Sequence, residues 1–258
     1  GQEAPRTARR RMILRFALLA LPMLLAACND APAPTPAPSS AASLAAKPAA
    51  PAAPPQTAPA QLPDPARCPA LTRDDENGLL ERKAPLSVPP ALAGVVAADM
   101  NQFAVTTLGG AQGCIDVRWM EQTGPLALST DERFLTFAWQ GYEAFGFVVF
   151  DRSGKGQEVD TGTQPAWSPS RARFAAVDLG EAAFGALNGF GVWDVQPAGI
   201  KELSIQADGL PMGEWRITGW RGEQCVALTR QGYEGPRENW FASAAQGWKL
   251  QAGSCPKA

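Results

Sequence analysis

Gln140-Gly141-Tyr142-Glu143 recurs as Gln231-Gly232-Tyr233-Glu234, an offset of 91 residues that uses both tyrosines of the chain. The same offset sets Cys225 on Phe134, Trp240-Phe241 on Val149-Phe150 and Gly247 on Gly156. Between these copies lies another. Phe174 follows Phe134 by 40 residues, and Val192-Trp193-Asp194 follows Val149-Phe150-Asp151 by 43, with the extra residues in an insertion from Gly180 to Gly189. A weaker copy runs from Val95 to Thr123, with Phe103 for Phe134 and Trp119 for Phe150 at an offset of 31. Periods near 40 residues built from several strands predict propeller blades.

The runs inside each copy agree with that reading. Phe103-Ala104-Val105, Phe134-Leu135-Thr136-Phe137, Phe147-Val148-Val149-Phe150, Phe174-Ala175-Ala176-Val177 and Cys225-Val226-Ala227-Leu228 are short and apolar, and Gly, Asp, Ser and Pro punctuate them. They lack the length and the 3.6-residue period of amphipathic helices, so an all-β domain is expected. A short helix is predicted only over Asp74 to Lys83. There Asp74-Asp75-Glu76 fits a helix start better than a cation site, because it lacks the alternating acidic loop of a calcium ligand set. The prediction is a β-propeller-like domain of about four antiparallel repeats over residues 67–258, incomplete or closed by the segment Cys68–Pro90.

The N-terminal third has another character. Arg9, Arg10, Arg11 and Arg15 precede an uncharged apolar run, Phe16 to Ala27, which is too short to span a bilayer and has the layout of a secretory signal. From Ala31 to Ala66 the chain is nearly all Ala, Pro, Ser and Thr, with eleven prolines. Such a segment lacks the apolar bulk for a core and is expected to act as a tether reaching about 110 Å at ~3.1 Å per residue. The expected organisation is a signal peptide over 1–27, an anchored and disordered linker over 28–66, and the β domain beyond.

Leu24-Leu25-Ala26-Ala27-Cys28 resembles the lipobox of bacterial lipoproteins. The resemblance implies cleavage before Cys28, acylation of its thiol and a body held at a membrane surface in the periplasm or at the cell surface. Asn29, where no aspartate follows the cysteine, implies the outer rather than the inner membrane. Arg10-Arg11-Met12-Ile13-Leu14-Arg15 also resembles a twin-arginine export signal, although ordinary signal-peptide charge explains the same residues and a start at Met12 would remove the pair. Within the domain, Pro165-Ala166-Trp167-Ser168-Pro169-Ser170 followed by Arg173-Phe174-Ala175-Ala176-Val177 resembles the propeller repeat of the periplasmic Tol translocation protein and, more distantly, WD repeats. The usual Asp-Gly after Trp-Ser-Pro is here Ser170-Arg171.

Composition narrows the chemistry. Residues 1–27 hold five of the 23 basic and one of the 25 acidic residues, leaving 18 and 24 and a net charge of −6. A mildly acidic body without a basic run excludes a nucleic-acid partner and gives no electrostatic attraction to anionic lipid. Attachment to the membrane therefore falls to the lipid anchor. The chain has no histidine, which removes Ser-His-Asp and Cys-His nucleophiles and His-ligated zinc. No catalytic motif, metal site or cofactor is expected. Once Cys28 is acylated, Cys68, Cys114, Cys225 and Cys255 remain, an even number suited to disulfides in an exported chain. Of the three possible connectivities, Cys68–Cys114 with Cys225–Cys255 is favoured because it would staple both ends of the domain.

The repeat places Tyr142, Glu143, Phe145, Tyr233, Glu234 and the insertion residues Phe184 and Asn188 in loops on one face of the disc. Exposed aromatics there suit contact with an envelope protein partner. An alternative reads Glu143 and Glu234 as the paired carboxylates of a glycosidase, or the tryptophans as sugar platforms. Trp139, Trp167, Trp193, Trp220 and Trp240 fall in or beside predicted strands, where packing between blades explains them. Asp151-Arg152-Ser153-Gly154-Lys155-Gly156 reads as a hairpin turn rather than a phosphate loop, since no helix follows it. The leading expectation is a non-catalytic, lipid-anchored binding or scaffolding protein. The alternative is a carbohydrate-binding or glycoside-cleaving lipoprotein.

Overall fold

Alternation along Phe134-Leu135-Thr136-Phe137-Ala138-Trp139 sends successive side chains to opposite sides, so a strand in the middle of the domain must find cover on both faces. The computed structural model describes residues 61–71, 82, 84–179 and 184–257, which belong to one compact unit. Cys28, the linker up to residue 60 and the Asp74-Asp75-Glu76 cluster lie outside the described residues.

The domain is all-β, in four antiparallel sheets taken in chain order. The first contains β1 (Val96–Ala98), β2 (Gln102–Thr106) and β3 (Gln112–Asp116). In the second, β4 (Gln122–Thr123) and β5 (Ala127–Leu128) both pair with β6 (Phe134–Gly141), which is followed by β7 (Ala144–Asp151) and β8 (Gln157–Asp160). The third holds β9 (Ala166–Trp167), β10 (Arg173–Asp178), β11 (Gly189–Gln196) and β12 (Gly199–Gln206). The fourth holds β13 (Glu214–Arg221), β14 (Cys225–Gln231), β15 (Arg237–Ser243) and β16 (Gln251–Ala252). Each apolar run singled out in the sequence lies in a strand with a neighbour on either side. The segment before Pro90 supplies no strand among its described residues, only a 3-10 turn at Pro65–Arg67.

Three apolar clusters join the sheets in succession. Phe103, Val105 and Ile115 of the first sheet meet Leu135, Phe137 and Phe150 of the second. Gly113 lets this happen, because a Cβ there would stand 2.5 Å from the tip of the Phe150 ring. Phe134 and Val149 meet Phe174, Ala176 and Trp193, through a column of rings Phe134–Trp167–Phe174–Trp193 with centroids 4.9, 4.9 and 5.2 Å apart. Ala175, Val177 and Val192 meet Trp215, Val226 and Leu228. Each buried large side chain contributes roughly 1.5–3 kcal/mol by leaving water. Among the described residues no cluster joins the fourth sheet to the first. The tryptophans are mostly part of this packing, and Trp119 alone of the eight exceeds one-third exposure.

The repeat is real, but its register differs from the one read off the sequence. Ser129 Oγ accepts from Phe134 N at 2.9 Å, and Ser168 Oγ accepts from Arg173 N at 3.1 Å. Glu132 and Arg171 take left-handed φ values of 57° and 61° in the same turn. The structural offset here is therefore 39 residues, so Phe174 corresponds to Leu135 and not to Phe134. The clusters agree: Phe134 faces forward to the third sheet, whereas Phe174 faces back to the second. A slip of one residue reverses every side chain in a strand. Likewise Leu135 pairs with Phe150 while Val226 pairs with Ala242, so the offset of 91 holds for β6 against β14 and slips by one in the next strand. Trp119 is also misplaced by the sequence reading. It lies between β3 and β4, 41 % exposed, and not in a strand.

A row of sheets leaves two end faces, and each is covered by a segment of the chain that flanks the strands. On the first sheet, Cys114 alternates with Ile115 and so points away from the second sheet, where it bonds to Cys68. The Gln112 amide holds the same segment, accepting from Asp64 N at 2.9 Å and donating to Asp64 O at 3.0 Å. Gln102 Nε2 donates to Pro69 O at 3.2 Å. These contacts extend the folded body upstream of the boundary at residue 67. On the fourth sheet, Cys225 points outward, since Val226 faces inward. It bonds to Cys255, whose segment folds back across β15 after Gly253 N donates to Asn239 O at 2.8 Å.

Arg133 and Asp151 close the second sheet at the start of β6. Nε and Nη2 donate to the two carboxylate oxygens at 2.9 and 2.7 Å, and Asp151 is fully buried. The carboxylate raises the Arg133 pKa, against the opposing effect of burial. Truncating Asp151 to alanine strands a guanidinium that also donates to Ser153 and to the Gln196 carbonyl. The expected cost in urea unfolding is roughly 3–5 kcal/mol. Closing loops of 46 and 30 residues, the two disulfides each contribute about 3.5–4 kcal/mol on the chain-entropy estimate. Paired Cys→Ser variants at either bridge should lower the unfolding midpoint by a comparable margin, and reductant should reproduce both losses in the native protein.

Candidate functional site

The strand starts define two rims. Arg173 at the start of β10 donates to Glu223 O at 3.1 Å, beside the start of β14. Arg133 at the start of β6 donates to the carbonyl of Gln196, where β11 ends. Strands β6, β10 and β14 therefore begin at one rim and deliver their hairpin tips to the other. On the starting rim, the Glu223 carboxylate accepts from Ser170 N at 2.8 Å, and the neighbouring Ser168 hydroxyl first and Ser170 N second hold its pKa below the ordinary value.

At the far rim, Tyr142 and Glu143 form the two-residue loop between β6 and β7, with Glu143 at a φ of 48°. Tyr142 is 80 % exposed at this tip. Residues 184–186 of the β10–β11 connection pair with the start of β7. Phe145 N donates to Phe184 O at 3.1 Å, Ala186 N donates to Phe145 O at 2.9 Å, and Phe145 and Gly185 form a parallel bridge. Phe145 and Phe184, proposed from the sequence for one face, are thus joined through their backbones, 40 % and 43 % exposed.

Two aspartates behind the rim hold this junction, and the sequence reading missed both. Asp160 accepts from Trp139 Nε1 at 2.6 Å, Phe147 N at 2.9 Å and Gly162 N at 3.0 Å, which fixes the exit from β8. Asp178 ends β10 and accepts from Asn188 N at 3.4 Å. Its carboxylate fills the space beside Gly162 and Gly185, where a Cβ would collide with it. Burial pushes the Asp178 carboxyl above its ordinary value. The N–H groups of Asn188 and Leu187 oppose that shift, and the nearby Asp160 charge adds to it. Asp160-Thr161-Gly162 was readable as an aspartate turn closed on the residue two positions on. Asp178 carried no local signal, because its partners come from the far end of an insertion.

Tyr233 and Glu234 occupy the tip of the β14–β15 hairpin, with Tyr233 67 % exposed. That tip is a five-residue loop, braced by Gln231 Nε2 donating to Gly235 O at 2.8 Å. The two Tyr-Glu pairs belong to the second and fourth sheets, with the third packed between them. At roughly 10 Å per packed sheet, this spacing exceeds the about 5–10 Å between the carboxylates of a glycosidase. That spacing does not favour Glu143 and Glu234 as a catalytic pair. Among the described residues, no cluster of His, Cys, Asp and Glu is able to hold a metal ion.

The junction predicts a pH response. A carboxyl whose folded pKa is raised contributes its full stability below the ordinary aspartate value, about 3.9, and loses it as pH rises through the folded value. Asp178→Asn keeps an acceptor for the insertion and removes the buried charge. Its melting temperature should exceed that of the native chain at pH 7, and the gap should close below pH 4. An unchanged pH profile would show that Asp178 titrates normally.

Compared with protein-family models and with curated proteins, the chain matches none.

Proposed function

We propose that this is a non-catalytic, lipid-anchored binding protein of the bacterial envelope. In this reading, its four sheets stand as propeller-like blades around an unclosed ring and present the Tyr142 rim to a protein partner. The observation that carries the reading is the joined pair Phe145 and Phe184 beneath an 80 %-exposed Tyr142. Phe145 and Phe184, joined by backbone hydrogen bonds, and Tyr142 at the adjacent hairpin tip offer aromatic contact area at low entropic cost. Glu143 and Tyr233 with Glu234 extend the same rim.

Other features support the address. Two disulfides in a domain of this size suit an oxidising compartment. The lipobox-like Cys28 and the proline-rich stretch beyond it would place the body at a distance from the outer membrane. The strand order, in which each sheet is built from consecutive chain segments and packs on the next, supports the blade description. No cofactor enters the proposal.

In cells fed labelled palmitate, the label should enter the native chain and be absent from Cys28→Ser, which should fractionate as soluble protein. A photo-reactive residue at position 142 should crosslink to one discrete protein. That product should fall several-fold when Phe184 is changed to Ser. A Cys28→Ser chain that stays with the membrane would overturn the anchor, and a crosslink indifferent to Phe184 would overturn the rim.

A further inference from the structure

We infer that the wedge between the face of the second sheet and the β8–β9 connection, just inside the aromatic rim, is a binding site for an uncharged saccharide. The sheet register builds it. Gln122 pairs with Gln140, and Gln140 pairs with Phe145, so these three form one row across β4, β6 and β7. Two residues further from the rim, Ala138 pairs with Phe147, and Gly124 N donates to Ala138 O at 2.7 Å. Trp139 packs toward the first sheet, so Ala138 and Gln140 face the third. Gly124 and Ala138, small residues of the second row, lie beside the longer Gln122 and Gln140 of the first and leave a hollow of about 480 Å3. The β8–β9 connection, with Thr163 and Gln164, forms its other wall.

The lining chemistry selects the ligand. Among the described residues, no charged side chain lines the wedge, which disfavours ionic ligands of either sign. Gln122, Gln140 and Gln164 are exposed, and their amides make no hydrogen bond to another described residue. Each amide offers a donor and an acceptor side by side, the pattern that reads neighbouring hydroxyl groups. Phe145 and Phe147 supply apolar surface for the C–H face of a sugar ring. The volume lies within the roughly 300–1,000 Å3 of small-molecule sites.

An extended peptide, the other uncharged ligand that amides recognise, meets an obstacle here. Strand addition needs unpaired backbone groups. Phe145 N and O are already bonded to the insertion. Phe147 N donates to Asp160, while Phe147 O and Ala138 O accept from Thr161 and Gly124. Recognition must therefore come from side chains. The inference does not rest on the partner rim, with which it shares only Phe145.

Calorimetric titration of the full chain, kept in a detergent without sugar groups, tests it with maltotriose, cellotriose and the trimer of N-acetylglucosamine. A neutral Gly-Ser peptide serves as the competitor class. At least one trisaccharide should bind saturably. Gln140→Ala and Phe145→Ala should each weaken it at least fivefold, on the order of 1 kcal/mol. Ala138→Trp, which fills the hollow from an exposed position, should abolish binding while the circular dichroism spectrum stays native. Lys201→Ala, an exposed position of β12 outside both the rim and the wedge, should leave the affinity unchanged. Absence of saturation with all three sugars at millimolar concentration would overturn the proposal. So would tighter binding of the peptide, or saccharide binding that survives Ala138→Trp.

Discussion

Strands buried on both faces are the constraint from which the rest of this structure follows. Leu135, Phe137 and Phe150 need cover on one side of the second sheet, and Phe134 and Val149 on the other. Stacking consecutive sheets satisfies the interior, yet any unclosed row ends in two faces that nothing further covers. Repeat proteins meet the same difficulty with atypical terminal units. Here the caps are bare chain segments with few large apolar groups, so burial alone would hold them weakly. Cys68–Cys114 and Cys225–Cys255 tie each segment to the outward face of a terminal sheet, which explains why each half-cystine in a strand alternates with a core residue.

The fold was readable in the sequence to the level of strands, and the register was not. The five apolar runs predicted as strands all form them, because short alternating runs between turn residues have no other stable use. The register was lost at the turns. Serine followed three residues later by a left-handed residue is the recurring device, at Ser129 with Glu132 and at Ser168 with Arg171. Glycine usually marks such a position, and a side chain there costs on the order of 1 kcal/mol. With Glu and Arg in its place, the match that stood out was Phe134 with Phe174. That match aligns residues on opposite faces.

The site divides along similar lines. Tyr142, Phe145 and Phe184 were identifiable as loop aromatics, since exposed rings at hairpin tips announce themselves by type and position. What joins Phe145 to Phe184 was not, because Asp178 acts on groups ten residues away across an insertion of unknown path. The glutamine row was hidden for a different reason. Gln140 belonged to the most evident repeat in the chain, but its meaning depends on Gln122 opposite it, and β4 is only two residues long. Such a strand has no pattern of its own. It exists because β6 offers it an edge.

The stabilising staples and the proposed recognition surfaces therefore occupy different parts of one array. The stapled faces lie at the two ends, whereas the rim and the wedge lie where the second and third sheets meet. That junction is held by the Phe134–Trp167–Phe174–Trp193 column at its base and by Asp160 and Asp178 near its mouth. Aromatic packing keeps the base of the two sheets together, and the carboxylates position the loops above it. Because Gly162 stands beside the Asp178 carboxylate and also lines the wedge, the insertion and the wedge share a wall. Phe184, Gly185, Asp178 and Gly162 thus form a continuous line of neighbours from the rim to that wall, because the Asp178 carboxylate fills the space beside both glycines.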